Sequence, residues 1–330
     1  MTLEVVEPGL LTTVQDAGRP AWTHLGVPVG GACDRWSLAV ANRLLDQPPD
    51  TPALEATLVG PTLAVRAPTV IALAGADLAG IELASSRPLL PGRTYRLDAG
   101  ATIAFPGRPG SGARLYIALP GGIEVPLVLG SASTLLAAAL GGLDGRALAV
   151  GDRVTARSEP DPSVANRVWP GSAIAPSGRP GTLRVVRGPH ADLLGEDVLG
   201  ALLAQTWAVD PASDRMAARL DGHPLAIETN GELLSHGVPA GAVQVPPDGR
   251  PIILLADHQT TGGYPVAAVV TTAELDAAGQ LPPGAAVRFE EVAGEVARAD
   301  LVSRRNAWEA ASSALGEAAG WDTLWRSAGA

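Results

Sequence analysis

The chain contains no lysine: all 24 basic side chains among its 330 residues are arginine. That absence excludes a Schiff-base lysine, the phosphate-gripping lysine of a P-loop and a biotinylated lysine from this polypeptide. Chemistry that needs one of them must draw it from a partner, and anion recognition falls to arginine forks, backbone amides and helix N-termini. Cysteine is nearly absent as well. Cys33 stands alone, which excludes an internal disulfide and leaves the redox compartment open, with the cytosol favoured. Positive charge is in deficit: a net charge of −10 argues against nucleic acid as a partner, because phosphate binding wants a basic surface. No run of about eighteen apolar residues occurs, and Met1-Thr2-Leu3-Glu4 does not open an export signal. A cytoplasmic protein that neither spans nor binds a membrane is expected. HExxH, CxxC and paired-histidine spacings are missing, so no dedicated zinc site is expected. GxGxxG and G-x-S-x-G are missing too, which excludes a Rossmann nucleotide site and a hydrolase serine elbow.

What is present is short β-type runs broken by 39 glycines and 29 prolines, a density suited to closed β-structures with tight turns. Val70–Ala74, Thr94–Asp98, Thr102–Phe105, Val243–Val245 and Ala286–Phe289 read as strands. Helices are few: one capped by Asp34 with Val40, Ala41, Leu44 and Leu45 on one face, one over Ala191–Ala204, and a helical tail. The length allows two domains, and the chain reads as duplicated. Thr2–Val6 returns as Thr182–Val186, and the pattern strand, Gly-Gly, Pro, strand, hydroxyl cluster occurs at 115–134 and again at 252–272. Two halves, 1–155 and 181–290, follow, with a Pro-rich linker at 156–180 and a tryptophan-bearing tail at 291–330. The tail packs on its own barrel or on a partner, the former favoured.

The most informative stretch is the run Ile252–Ala256, which empties into Asp257-His258-Gln259-Thr260-Thr261 before Gly262-Gly263-Tyr264. A strand ending in a carboxylate, an imidazole, an amide and hydroxyls presents polar groups from a rigid base, the usual construction of a ligand site. The same residues would also serve a turn that satisfies its own backbone. Near the N-terminus, Gln15, Asp16 and Arg19 precede Gly30, Gly31 and the cap Asp34. Glycines before a capped helix leave amides for an anion, whereas an Asp16–Arg19 ion pair would only brace the loop. Cys33 reads as a small filler. Glu55 and Asp77 are carboxylates at strand ends, able to meet across a cleft or to form turns. Ser213-Asp214-Arg215 is a compact anion-handling set or a structural pair, and Arg187 with His190 has the same ambiguity.

TTVQDAGR at 12–19, GVPVGGACD at 26–34, LE at 54–55, PGGIEVPLVLGSAST at 120–134, SDRMAARL at 213–220 and the segment 237–265 together resemble one family. It is the biotin-dependent carboxyltransferase-like group that includes the 5-oxoprolinase C subunits, also described as allophanate hydrolase subunit 2 or KipA. The resemblance runs to about residue 290 and implies a mainly β fold of two cyclophilin-like β-barrel halves. It also implies partners, a KipI-type B-chain and an A-chain of 5-oxoprolinase, which together open the lactam 5-oxoproline to glutamate with ATP. Similar domains in urea carboxylase move a carboxyl group from carboxybiotin to urea. On this resemblance Asp257 and His258 handle the proton, while Gln259, Gln15 and Gln244 grip the amide. Arg19 and Arg215 contact phosphoryl or carboxylate charge, and Asp16, Glu55 and Asp214 orient them or hold Mg²⁺. Gly30, Gly31, Asp34, Thr260 and Tyr264 complete the expected binding set. ATP with Mg²⁺ is shared with a partner, and biotin enters only on a partner. Rival readings are carboxyl transfer to a urea-like acceptor and a non-catalytic regulator of a KipI-type inhibitor. Ala217 and Ala17 stand where the family favours glycine, and neither removes a functional group.

Overall fold

The computed structural model describes residues 2–107, 112–174, 181–195, 197–227 and 233–315. The chain divides into two compact units. One comprises Met1–Arg19, Gly30–Ala175 and Ala307–Ala330, the other Pro20–Val29 and Pro176–Asn306. The fold is mainly β, with few helices, as its glycine and proline content requires.

In the first unit eleven strands among the described residues form two sheets. Six lie in the order Arg153–Thr155, Thr2–Glu7, Thr62–Val65, Thr102–Ala104, Gly80–Glu82 and Arg87–Leu89. Five lie in the order Leu11–Gln15, Ala53–Thr57, Arg114–Ala118, Thr69–Gly75 and Arg93–Leu97. Thr2–Glu7 shows the period of two, sending Leu3 and Val5 into a core with Leu63, Ile71, Leu73, Ile103 and Phe105. Thr69–Gly75 instead is buried along its whole length. The helix α1 (Arg35–Leu44) lies on its other face, so both faces are dry and the run reads as continuously apolar.

In the second unit seven strands close a barrel in the order Thr182–Arg187, Val266–Val270, Ala242–Gln244, Ile252–Leu254, Ala217–Asp221, Trp207–Val209 and Ala286–Glu291. The ring closes through parallel pairing of Thr182–Arg187 with Ala286–Glu291, Leu183 opposite Phe289. Closure leaves the barrel no open edge. Its core gathers Leu183, Val185, Trp207, Leu220, Val243, Ile253 and Val287. Trp207 spends its indole N–H on the carbonyl of Leu202, 3.1 Å away.

The repeated sequence pattern is realised differently in the two halves. Thr2–Glu7 pairs antiparallel with its closing strand Arg153–Thr155, whereas the second closing strand is parallel to Thr182–Arg187. Where the second copy has Val266–Val270, the first has a tight turn bridging Val128 and Ser131, with Leu129 at φ 54° and Gly130 at φ 81°. Two consecutive positive φ angles are what a two-residue hairpin turn requires, and leucine is a strained choice for the first.

The helix expected over Ala191–Ala204 is broken. Gly195 at φ 120° separates a 3₁₀ turn, Ala191–Leu194, from the short α2 (Val198–Ala204). A further short helix, α3 (Leu275–Gly279), follows Val266–Val270, and the tail forms α4 (Gly294–Ser313). Within the second unit Arg304 of α4 pairs with buried Asp276 and donates to the carbonyl of Ala273. Within the first, Trp308 is buried edge-on against Trp36 of α1, its ring centroid 5.5 Å away. Arg43 of α1 donates to the hydroxyl of Ser312 at 2.8 Å. The described part of the tail thus packs on helices and turns of this chain, while Trp321 and Trp325 lie outside the described residues. The described part of 156–180 runs along Arg93–Leu97, with Val164 and Trp169 buried.

Candidate functional site

The barrel rim after Ile252–Leu254 collects the chemistry of the second unit. Pairing of Ala217–Asp221 with Ile252–Leu254 sets Ala217 opposite Leu254. The residues just outside that ladder, Arg215 and Asp257, therefore meet. Arg215 Nε and a terminal nitrogen donate to the two carboxylate oxygens of Asp257 at 2.8 and 2.9 Å, with both side chains buried. Such a two-pronged pair is strong and geometrically specific. Asp257 is thus engaged by a guanidinium, and the expected Asp257–His258 proton-handling pair becomes an Arg215–Asp257 pair beside an imidazole.

His258 is buried, and its Nδ1 lies 2.6 Å from the carbonyl oxygen of Gln259. A carbonyl only accepts, so Nδ1 carries the proton and Nε2 keeps its lone pair. Desolvation is the main influence and holds this imidazole below the usual histidine range; the Gln259 carbonyl and the Asp257 charge pull weakly the other way. The result is a neutral ring with one basic nitrogen.

Two carboxamides stand beside it. Gln244, fully buried on its barrel strand, donates from Nε2 to the carbonyl of Tyr264 at 3.2 Å. That bond fixes which end of the amide is oxygen, and Gln244 Oε1 in turn accepts from Gln259 Nε2 at 3.4 Å. A Cβ on Gly262 would fall 2.9 Å from Gln244 Nε2, so a larger residue there would displace the end of that amide. Thr261–Gly262 forms a two-residue ladder with His236–Gly237, and the carbonyl of Thr260 accepts from Val238 N. Tyr264 is exposed at the rim. Asp214 sits outside this group: its carboxylate accepts from the amides of Met216 and Ala217 and makes a turn. Arg187 pairs with Asp192 at the surface, and the His190 ring lies 4.6 Å from that of His236.

In the first unit the expected ligand residues are engaged with the protein itself. Asp16 Oδ1 accepts from Gly18 N at 2.8 Å, from Ser131 Oγ at 2.6 Å and from Ser133 Oγ, while Oδ2 accepts from Ala132 N at 2.6 Å. Arg19, buried, donates to the carbonyls of Val128 and Ser133. Asp16 and Arg19 thus brace the 128–133 loop, each through its own contacts. Gln15 donates to Thr13 Oγ1 at 2.9 Å and to the carbonyl of Thr134 at 3.1 Å, and its own oxygen is buried without a partner.

Gly31, at φ 84°, lets the backbone of 16–18 cross it, since a Cβ would lie 2.7 Å from Gly18 N; Gly30, at φ 64°, is buried beside it. Asp34 caps α1, accepting from Ser37 N at 2.8 Å. Two amides just ahead of this helix are also used internally. Glu55 Oε2 accepts from Cys33 N at 2.9 Å, and the Tyr116 hydroxyl accepts from Asp34 N at 2.8 Å while donating to Glu55 at 2.6 Å. Glu55 is therefore not at a strand end. It lies in the middle of Ala53–Thr57, opposite Tyr116 and near buried Arg114. Asp77 accepts from Ala79 N and forms a turn of its own.

Tyr116, Ser131 and Ser133 do not stand out in the sequence as site residues. The serines belong to a visible hydroxyl cluster, but Tyr116 is hidden in an apolar strand. Burial pushes the Tyr116 phenol well above its usual range, with the Glu55 charge adding to it, so it stays a hydrogen-bond donor. Tyr116→Phe is expected to lower stability by about 1–3 kcal/mol, because Asp34 N and Glu55 each lose a buried partner. An unchanged urea midpoint would show that this hydroxyl holds nothing.

The rim of the barrel thus gathers a neutral imidazole and two carboxamides beside a buried Arg215–Asp257 pair. Residues 25–291 match the model of the carboxyltransferase domain, subdomain A and B, and the chain belongs to that family. It is 36% identical over 301 residues to the 5-oxoprolinase C subunit of Escherichia coli (strain K12), covering 89% of this chain and 93% of that protein. Urea amidolyase of Lachancea kluyveri is 33% identical over 319 residues, 89% of this chain but 17% of that protein. The crystal structure of the Kluyveromyces lactis urea carboxylase superposes with a TM-score of 0.82 at 30% identity, covering 93% of this chain and 29% of that one. The chain spans nearly all of the 5-oxoprolinase relative and a small part of the urea-processing ones. These relatives are enzymes or components of enzymes. Among the described residues no helix is long and apolar enough to cross a membrane.

Proposed function

We propose that the chain is the C-type component of an ATP-dependent 5-oxoprolinase-type assembly, which opens 5-oxoproline to glutamate with hydrolysis of ATP to ADP and phosphate. The observation that carries this reading is the near end-to-end match to the Escherichia coli protein. The rim geometry supports it. A lactam is a planar, poorly reactive amide, and it needs its oxygen and nitrogen held and its protons moved before the ring opens. Gln259, oriented by Gln244, holds the amide plane, and His258 Nε2 takes or returns the proton. Partners of the KipI-like B type and of the A type supply the remaining groups.

ATP with Mg²⁺ belongs to a partner in this reading. Asp16 and Glu55 do not fit the metal expected of them, because each is buried and taken by donors of this chain, while Asp214 accepts two backbone amides on one oxygen. Among the described residues no group of three or more His, Cys, Asp or Glu could hold a metal ion.

The test is reconstitution with B-type and A-type partners, 5-oxoproline and ATP, scored by glutamate formed. Glutamate that requires this chain supports the reading, and equal yield without it refutes it. The matches to urea amidolyase and urea carboxylase favour a second reading, carboxyl transfer to urea from biotin on a partner. Since the chain has no lysine to carry biotin, carboxylated urea should then appear only with a biotinylated partner.

A further inference from the structure

The rim holds three ionisable groups in a row, and the order of their contacts is informative. Arg215 closes on both oxygens of Asp257, the neighbour of His258 in the chain. Backbone bonds reinforce this arrangement: Asp257 N donates to the carbonyl of Arg215 at 3.0 Å, and Leu255 N to that of Met216 at 2.8 Å. His258 N returns to the carbonyl of Leu255, which fixes the imidazole over the same turn. Each carboxylate oxygen thus accepts from the guanidinium, whose charge offsets its own. Asp257 is the charged group that acts on the imidazole, and its counter-charge arrives from the segment leading into Ala217–Asp221.

We propose that Arg215 is a positioning residue: its charge, held on both oxygens of Asp257, offsets that carboxylate's pull on His258 and so helps burial keep the imidazole uncharged, with Nε2 ready to accept a proton. The role deepens the proposed function and rests on it, since His258 is the proton acceptor there. An anionic carboxylate left open beside an imidazole favours the protonated ring, which has no lone pair to offer. Two neighbouring groups are thus kept in different charge states by a third. Arg215 touches no substrate in this scheme and acts on the imidazole through Asp257.

The experiment follows the His258 ring proton by NMR in the full chain, with His258→Gln identifying its signal among the 5 histidines. Arg215→Met is expected to move the His258 midpoint upward by about one pH unit or more. Asp257→Asn is expected to move it downward, because the arginine charge is then unopposed. Arg215→Lys keeps the charge without the fork and should leave the midpoint near that of the wild type. A merely structural role would make lysine as disruptive as methionine. In the reconstituted assembly, the acid limb of turnover should move with these midpoints.

A folded Arg215→Met chain with an unmoved midpoint would overturn the proposal. If that variant does not fold, Asp257→Asn decides, and an upward or absent shift overturns it equally. Midpoints that move as expected in an assembly that never opens the lactam would keep the electrostatic role and sink the functional reading. Lactam turnover with unmoved midpoints would do the reverse.

Discussion

Asp16→Ala is expected to be the most destabilising single change in the first unit, lowering stability by about 3–5 kcal/mol. The carboxylate gathers two backbone amides and two serine hydroxyls, from Gly18, Ala132, Ser131 and Ser133. Its removal leaves four donors without this partner, three of them buried, each buried one costing about 1–3 kcal/mol if nothing replaces the bond. Partial relaxation of the loop makes the total smaller than the sum. The loss would not stay local. Asp16 also accepts at its carbonyl from Ala32 N, just ahead of α1, and Thr134 N ties the same loop to Val14. Leu129, held at a positive φ, stays there only while these bonds over-determine the turn. Asp16→Asn keeps one acceptor and should lose roughly half as much. Urea denaturation measures both. A loss below about 1 kcal/mol for alanine would mean that the hub is not what holds the loop, and would return Asp16 to the ligand-facing groups.

The contrast between Asp16 and His258 shows how far the sequence could be read. Regular elements are legible where one periodicity dominates: Thr2–Glu7 alternates, Thr69–Gly75 is continuously apolar, and Asp34 announces α1. The 257–264 segment is legible because five polar side chains in succession after an apolar strand have no packing purpose. What sequence spacing cannot supply is the choice of partner. Asp16 and Arg19 lie three apart and suggest an ion pair, yet Asp16 bonds mainly, and Arg19 also, to the 128–133 loop more than a hundred residues away. Asp257 is adjacent to His258 but pairs with Arg215, 42 residues earlier, because antiparallel register places the ends of two barrel strands together. Glu55 reads from the sequence as lying at a strand end; only the ladder shows it opposite Tyr116 in mid-strand. Gly195 breaks a helix that composition alone favours.

His258→Gln is expected to reduce turnover of the reconstituted assembly by about 10²–10⁴-fold while leaving the Michaelis constant within a few-fold of the wild type. Glutamine fills a similar volume and places its amide near the position of Nε2, where it can hydrogen-bond but not take a proton, so the loss reports the missing basic nitrogen. Gln259→Ala should behave in the opposite way, raising the Michaelis constant more than it lowers turnover, because in the proposed reading its amide grips the ground state and the transition state alike. The pH dependence separates these roles further. The folded imidazole protonates below its ordinary 6.5, so the unfolded chain binds the proton more readily. Stability is therefore fully present above about 6.5 and declines as the pH falls from there toward the folded midpoint. Turnover that depends on the neutral ring falls over the same acidic side, with its half-maximal point below 6.5. His258→Gln should flatten this part of the stability curve and remove the acid limb from the residual rate. A variant that keeps more than a tenth of wild-type turnover, with its acid limb intact, would show that the proton is moved elsewhere in the assembly.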